Sequence, residues 1–312
     1  MQDDEGNDAL HGGNLVNGGK SNIAHSIHDR LLKISHEKQE ELDKLLKRFA
    51  YEGFLRRLNT SSYSRQMVLK GGLLLMQLTK EFVRSTKDLD LLVYGENSEA
   101  YVREMVSTIC AVRFDQDALV FDISTMKVEK IIDEEEYNGF RVKLIAHIGS
   151  SNIPLQIDMG FGDPVIPSPV ELEYPSLLNL PSVQVLSYPV QSVIAEKVEA
   201  MVSRGEENSR MKDFYDIYVL SRLFEINVEL LKAAIIATFG SRGTAIPENP
   251  PIALRDQFAS DAIKKEQWRN FIKKNELQHA PDDLGEVMGA IREFILPVFG
   301  QINYEKSGES RL

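Results

Sequence analysis

The chain has a single cysteine, Cys110, among its 312 residues. No disulfide can form within it, and no cysteine-based zinc site can be built. A lone thiol fits a reducing cytoplasm. No apolar run is long enough to span a bilayer, so no membrane partner is expected. The N-terminus lacks the basic segment and apolar core of a secretory signal. Positive charge is in deficit: 36 Lys and Arg stand against 47 Asp and Glu, a net charge of −11. Generic affinity for nucleic acid is therefore not expected, and any RNA contact needs a local basic patch. The six histidines include no His-x-x-x-His pair. There is no nucleophile elbow, Walker loop or dinucleotide fingerprint, which leaves serine and cysteine nucleophile chemistry without support.

What is present is an ordinary globular composition, 43% hydrophobic and 27% charged, enough to bury a core. Residues 1–20 are polar and rich in Gly and Asn, and are expected to form a disordered lead. From Ser26 to Leu58 apolar residues recur at helical spacing. A short strand is expected at Met67–Leu69, a helix at Ser98–Val112 capped by Ser98, and strands at Leu119–Lys130, Phe140–Ile148 and Leu155–Met159. The span Asp163–Pro189 holds half of the twelve prolines and reads as an extended connector. Helical patterns follow at Val190–Ser203, Arg210–Phe224, Val228–Phe239, Asp256–Asn275 and Asp282–Phe299. The expected class is α+β: a mixed sheet with flanking helices over residues 21–185, then an all-helical domain over 186–312.

The stretch Lys70–Val93 organises the rest. A Gly71-Gly72 turn follows the first strand, and the second strand carries Asp88 and Asp90, two residues apart. Side chains alternate along a strand, so both acids face one way and Leu89, Leu91 and Val93 face the other. Adjacent carboxylates repel unless a cation lies between them. Mg²⁺ suits that place, because it prefers carboxylate oxygen and bridges to phosphate; Mn²⁺ is the substitute. Gly71 and Gly72 would let the backbone approach a phosphate. Lys70, Arg84 and Lys87 flank the acids and offer charge to a phosphate, with plain surface charge as the alternative.

Two further places carry chemistry. Asp158 sits on a short strand and is either the third acid of a metal site or the start of a turn before Gly160 and Gly162. Lys197 falls in the apolar stripe formed by Val190, Val193, Ile194, Val198, Met201 and Val202, with Glu196, Glu199 and Ser203 on the opposite face. A lysine so placed needs an anionic partner. A polyphosphate would serve, and so would Asp213 or Asp216, three apart on a following helix that is apolar nearly all round. The pair would then position Lys197 for chemistry or simply tie two helices together.

Five blocks in order carry a family resemblance: Val68-Leu69-Lys70-Gly71-Gly72, Arg84-Ser85-Thr86-Lys87-Asp88-Leu89-Asp90, Ile157 through Asp163, Ala195-Glu196-Lys197-Val198-Glu199-Ala200, and Asn208 through Asp216. The sequence resembles the AbiEii/AbiGii-type nucleotidyltransferase toxins, a branch of the polymerase-beta-like nucleotidyltransferase fold. The resemblance implies that Asp88 and Asp90 ligate Mg²⁺ and the NTP, with Asp158 as third ligand or base. It also implies that Gly71 and Gly72 form the phosphate-side turn, and that Lys197 and Asp213 complete the site from the helical domain. Some members are similar to toxins that add nucleotides to the tRNA 3′ end, and such toxins accompany a cognate antitoxin. The wider fold often has Gly-Ser where this chain has Gly71-Gly72, which leaves Ser85 or Thr86 to supply the hydroxyl. Transfer to a protein or small molecule is the alternative within the enzyme class, and a non-catalytic binding module is the alternative outside it.

Overall fold

The computed structural model of the chain describes residues 14–80, 86–131 and 139–309. Its first helices are α1 (Asn14–Lys38) and α2 (Leu42–Thr60). The helical pattern expected across Ser26–Leu58 is thus two helices, parted at Gln39, which takes a left-handed φ of 52°. α1 starts inside the polar lead, at Asn14, while residues 1–13 lie outside the described residues. The helix is anchored by Ala24, Ile27 and Leu31, all buried. α2 is buried along most of its length, polar residues included. Arg57 donates to both oxygens of Asp117, at 2.6 and 3.0 Å. Glu52 accepts the Leu177 N–H at 3.0 Å. Buried charges need such partners.

Then come β1 (Met67–Lys70), α3 (Gly71–Thr79), β2 (Leu89–Val93) and α4 (Glu99–Ala111). Ser98 caps α4 by accepting the Tyr101 N–H, as its sequence position suggested. Three long strands follow: β3 (Leu119–Ile131), β4 (Gly139–Ile148) and β5 (Ser151–Phe161).

The expected connector over Asp163–Pro189 holds two strands, β6 (Val170–Tyr174) and β7 (Val183–Ser187). β7 pairs with β1 in parallel, and β6 closes that edge of the sheet. The prolines of the span, at 164, 167, 169, 175, 181 and 189, all lie outside the strands. A proline lacks the N–H a ladder requires, so it bounds short strands without excluding them. The proline density of the whole span concealed the gaps of five and seven residues that hold them.

The sheet order is β3-β4-β5-β2-β1-β7-β6, with β2–β5 and β1–β7 parallel and the other pairs antiparallel. Helices complete the chain: α5 (Val190–Arg204), α6 (Met211–Leu223), α7 (Val228–Ser241), α8 (Asp256–Ser260), α9 (Ala262–Asn275) and α10 (Leu284–Glu309). The helix expected across Asp256–Asn275 is two, because Asp261 caps the second by accepting the Lys264 N–H at 2.9 Å. α6 is buried nearly all round, with Phe214, Ile217 and Leu220 fully enclosed. Phe214 stacks on Phe258, and Tyr215 meets Phe271 edge-on. A mixed sheet flanked by helices, followed by helices alone, is the α+β class that the sequence indicated.

Candidate active site

One row of charge crosses the sheet. In register, Lys70 of β1 stands beside Asp90 of β2, Asp90 beside Asp158 of β5, Asp158 beside Arg141 of β4, and Arg141 beside Glu129 of β3. Side chains directly opposite on neighbouring strands share a face and touch. The signs alternate except at the centre, where two aspartates meet. Asp88, just before β2, joins them from the same face. One carboxylate oxygen from each of Asp88, Asp90 and Asp158 lies within 4.8 Å of the others.

Crowding leaves its mark on Asp90. Burial and then the neighbouring Asp88 push its carboxyl up to about 6, against the pull of Lys70 and Lys212. A cation among the three acids would remove that penalty. The donors are all carboxylate oxygen, the set that hard divalent ions prefer. The residues therefore fit a divalent metal. Asp158 also has a protein partner absent from the sequence reading. Arg141 forks onto it, Nε to Oδ1 at 2.9 Å and NH2 to Oδ2 at 2.7 Å.

The two glycines owe their identity to what presses on them, Asp90 and Thr86. Gly71 has φ +66°, and a Cβ there would land on the Asp90 carboxylate. A Cβ on Gly72 would land on Thr86. The expected Gly-Gly turn is thus the first turn of α3, pressed against the acid strand, with the Gly72 N–H directed at Asp90 Oδ2 at 3.4 Å. Thr86 donates to Asp88 Oδ1 at 3.0 Å. Arg84 and Ser85 lie outside the described residues.

Across a cleft of about 420 Å³ stands the helical wall. Lys197 of α5 donates to Asp213 Oδ1 at 3.0 Å and Asp216 Oδ2 at 2.6 Å. Of the partners foreseen for it, the two aspartates are in place. Burial alone would raise the Asp213 carboxyl, but Lys197 and Arg210 hold it down to about 2. The Arg210 Nε is 2.8 Å from Asp213 Oδ2, an ion pair outside hydrogen-bonding angle. Arg204, Arg210 and Lys212 line the same cleft, and Lys212 is close enough to pull the Asp90 carboxyl down. None of the three was singled out from sequence. Lys212 was the one most open to detection, next to a buried aspartate in the first turn of a buried helix.

A second ion-pair network closes the other end. Lys70 does not stand open to a phosphate: its Nζ donates to Asp163 at 2.8 Å and Glu196 at 2.9 Å, over the ring of Tyr188. Arg242 donates to Glu199 at 2.8 Å and Asp163 at 3.2 Å, and Thr244 donates to Glu199 at 2.6 Å. Burial would lift Asp163, yet Lys70 and Arg242 hold it down to about 2. Glu196 and Glu199 were expected on the outer face of α5. Both line the cleft, and Glu199 is 2% exposed. α5 is covered on that side as well, so its charged face is paired and not solvated.

Residues 53–290 match the family model described as nucleotidyl transferase AbiEii toxin, type IV TA system. No curated protein matches the chain. Among solved structures it is similar to MenT4, a nucleotidyltransferase toxin from Mycobacterium tuberculosis H37Rv, at 15% identity and a TM-score of 0.57, over 90% of this chain and 89% of that one. It is also similar to JHP933 from Helicobacter pylori, at 12% identity and a TM-score of 0.43, over 86% of this chain and 97% of that one.

Proposed function

The chain belongs to the AbiEii family of nucleotidyltransferase toxins of type IV toxin–antitoxin systems, and from that premise we propose that it moves a nucleoside monophosphate from an NTP to the 3′-terminal hydroxyl of tRNA. The carrying observation is one cleft lined both by the clustered Asp88, Asp90 and Asp158 and by Arg204, Arg210 and Lys212. Asp88 and Asp90 would hold Mg²⁺, or Mn²⁺ in its place, with Asp158 as the third oxygen donor in reach. Bound there, the ion polarises the phosphoryl oxygens and eases ionisation of the attacking hydroxyl.

The protein's own work is orientation and charge compensation. The acceptor oxygen attacks the α-phosphorus, the bond to the β-phosphate oxygen breaks, and pyrophosphate leaves. Arg204, Arg210 and Lys212 receive the charge that builds on the leaving group. The α3 N-terminus at Gly71-Gly72 adds a positive dipole end on the phosphate side. Lys197 acts at the triphosphate from α5, and Asp213 and Asp216 hold it at the cleft wall. The hydroxyl proton passes to Asp158 or to solvent.

The family also implies a cognate antitoxin as partner. No described helix is long and apolar enough to cross a membrane, and the lone cysteine accords with a cytoplasmic site of action. The net charge of −11 favours a second reading, transfer to a protein acceptor. One assay separates them: the protein with each labelled NTP, Mg²⁺, total tRNA and cell lysate. Label in tRNA, lost on RNase treatment, supports the proposal. Label that follows protein alone replaces the acceptor, and no label with any NTP overturns the reaction.

A further inference from the structure

The β2–β5 ladder contains an inserted hydroxyl. Its parallel pairs run from Leu89–Ile157 to Val93–Phe161. One step earlier the register would set Asp88 beside Gln156, with the Gln156 N–H aimed at the Lys87 carbonyl. Tyr51 of α2 stands in that gap. Its Oη accepts the Gln156 N–H at 3.2 Å, and its hydrogen lies within reach of Lys87 O at 2.9 Å and Gln156 O at 3.0 Å. A phenol oxygen thus relays what is elsewhere a direct strand-to-strand bond.

Tyr51 is 1% exposed and comes from the α2 side of the sheet, where Leu155, Ile157 and Met159 are buried. It does not line the cleft. Its phenol is pushed above the ordinary tyrosine range, by burial first and also by Asp88, Asp158 and Asp90, so it remains a neutral donor under those acids. The two backbone segments that it joins are the roots of the metal-candidate residues. Lys87 precedes Asp88, and Gln156 lies two residues before Asp158. An oxygen inserted between strands holds them farther apart than a direct N–H···O bond does. Asp90 and Asp158 are a direct pair of the ladder, while Asp88 lies one step before its first pair, Leu89–Ile157.

We propose that Tyr51 is a positioning residue for the metal site: its hydroxyl, inserted between Lys87 and Gln156, sets the place of Asp88 relative to Asp90 and Asp158. Without it the two strands either close onto each other or leave the Lys87 carbonyl and Gln156 amide unsatisfied. In both cases Asp88 leaves the position from which three carboxylates converge. The proposal rests on the divalent-metal reading of the acids.

The test is Mn²⁺ binding by the nucleotide-free full chain, followed through the electron paramagnetic resonance of free Mn²⁺. The variants are Tyr51→Phe and, as a control for lost stability, Phe54→Leu, a fully buried packing change on the same helix. Y51F is expected to weaken Mn²⁺ binding about tenfold. In transfer assays it is expected to raise the metal concentration for half-maximal rate by a similar factor, with most of kcat restored at saturating metal. F54L is expected to lower the melting temperature and leave Mn²⁺ binding unchanged. Wild-type binding of Mn²⁺ together with unchanged binding by Y51F overturns this proposal alone. So does equal weakening in F54L, because the effect then belongs to stability. A wild-type protein that binds no Mn²⁺ overturns the metal reading and this proposal with it.

Discussion

Arg141 and Asp158 face each other across β4 and β5 in direct register and form a two-point fork, at 2.9 and 2.7 Å. Such planar pairs are the strong form of the carboxylate–cation bond. This one draws on the same carboxylate that completes the acid triad. Arg141 therefore competes with a divalent ion for Asp158, and its charge weakens the potential that attracts the ion. The Arg141 side chain is 37% exposed, so the dielectric of water applies, and its repulsion of a divalent ion about 7 Å away is about 1 kcal/mol. Arg141→Gln is expected to tighten Mn²⁺ binding several-fold, as measured by equilibrium titration of the nucleotide-free protein. Weaker binding in the variant would show that the fork orients Asp158 for the ion instead of opposing it.

Asp90 is expected to trade stability for activity. Its carboxyl is raised to about 6 by burial and by Asp88, so it is ionised at neutral pH and that ionisation costs the metal-free fold stability. Asp90→Asn removes that repulsion and removes a ligand. The variant should lose transfer activity and melt higher than wild type in chelator at pH 7.5, the difference shrinking when Mg²⁺ is added to both. A lower melting temperature in chelator contradicts the strain argument.

Gly72 and Thr86 occupy one space. Gly72→Ala drives a methyl into the Thr86 side chain, at a cost of about 1–3 kcal/mol. Thr86→Gly opens the space and breaks the bond to Asp88. The double variant is expected to regain most of the stability lost by Gly72→Ala but not the activity. Chemical denaturation of the four proteins, wild type included, measures the coupling.

Lys197 is paired with two acids that are almost wholly enclosed. Lys197→Met leaves Asp213 and Asp216 without that cation, and breaking a buried pair costs about 3–5 kcal/mol. Lys197→Arg keeps the charge but changes the donor geometry. Arg is expected to hold the melting temperature near wild type while lowering kcat at least tenfold. Full activity in the Arg variant would reduce Lys197 to a tie between helices.

Glu52 gives the fold a pH dependence outside the cleft. Burial lifts its carboxyl to about 7, against the Leu177 N–H, Arg48, Arg56 and Ser176. The folded-state value exceeds the unfolded one, so the fold binds more protons than the unfolded chain across pH 4.5–7. Stability from this group is complete below that window and falls as pH rises through it, by up to ~3 kcal/mol. Glu52→Gln keeps an acceptor for Leu177 and cannot ionise. It is expected to raise the melting temperature at pH 8 and leave it unchanged at pH 4.

Much of the cleft was legible because its signals are local. The Asp88-x-Asp90 spacing needs only strand periodicity, and Lys197 is conspicuous in an apolar stripe. The fold class followed from the order of two periodicities. Partnerships were less legible. Arg141, Tyr51 and Arg242 carry no mark in their own segments: an arginine on an alternating strand, a tyrosine in an amphipathic helix and an arginine near a helix end are all ordinary. Glu196 and Glu199 looked solvated because a helical wheel shows which face is polar and not what covers it. β6 and β7 vanished into the proline count of their span.

The amino-acid sequence by itself determined the elements and the residue types that need company: acids two apart on a strand, a lysine among apolar neighbours, glycines without side chains. These follow from backbone periodicity and the free energy of burying charge, which act over a few residues. Only the tertiary structure decided who keeps that company. Strand register set Asp90 beside Asp158 and Arg141 beside Asp158, and helix packing brought Lys197 to Asp213 and Asp216. Both depend on contacts among segments remote along the chain.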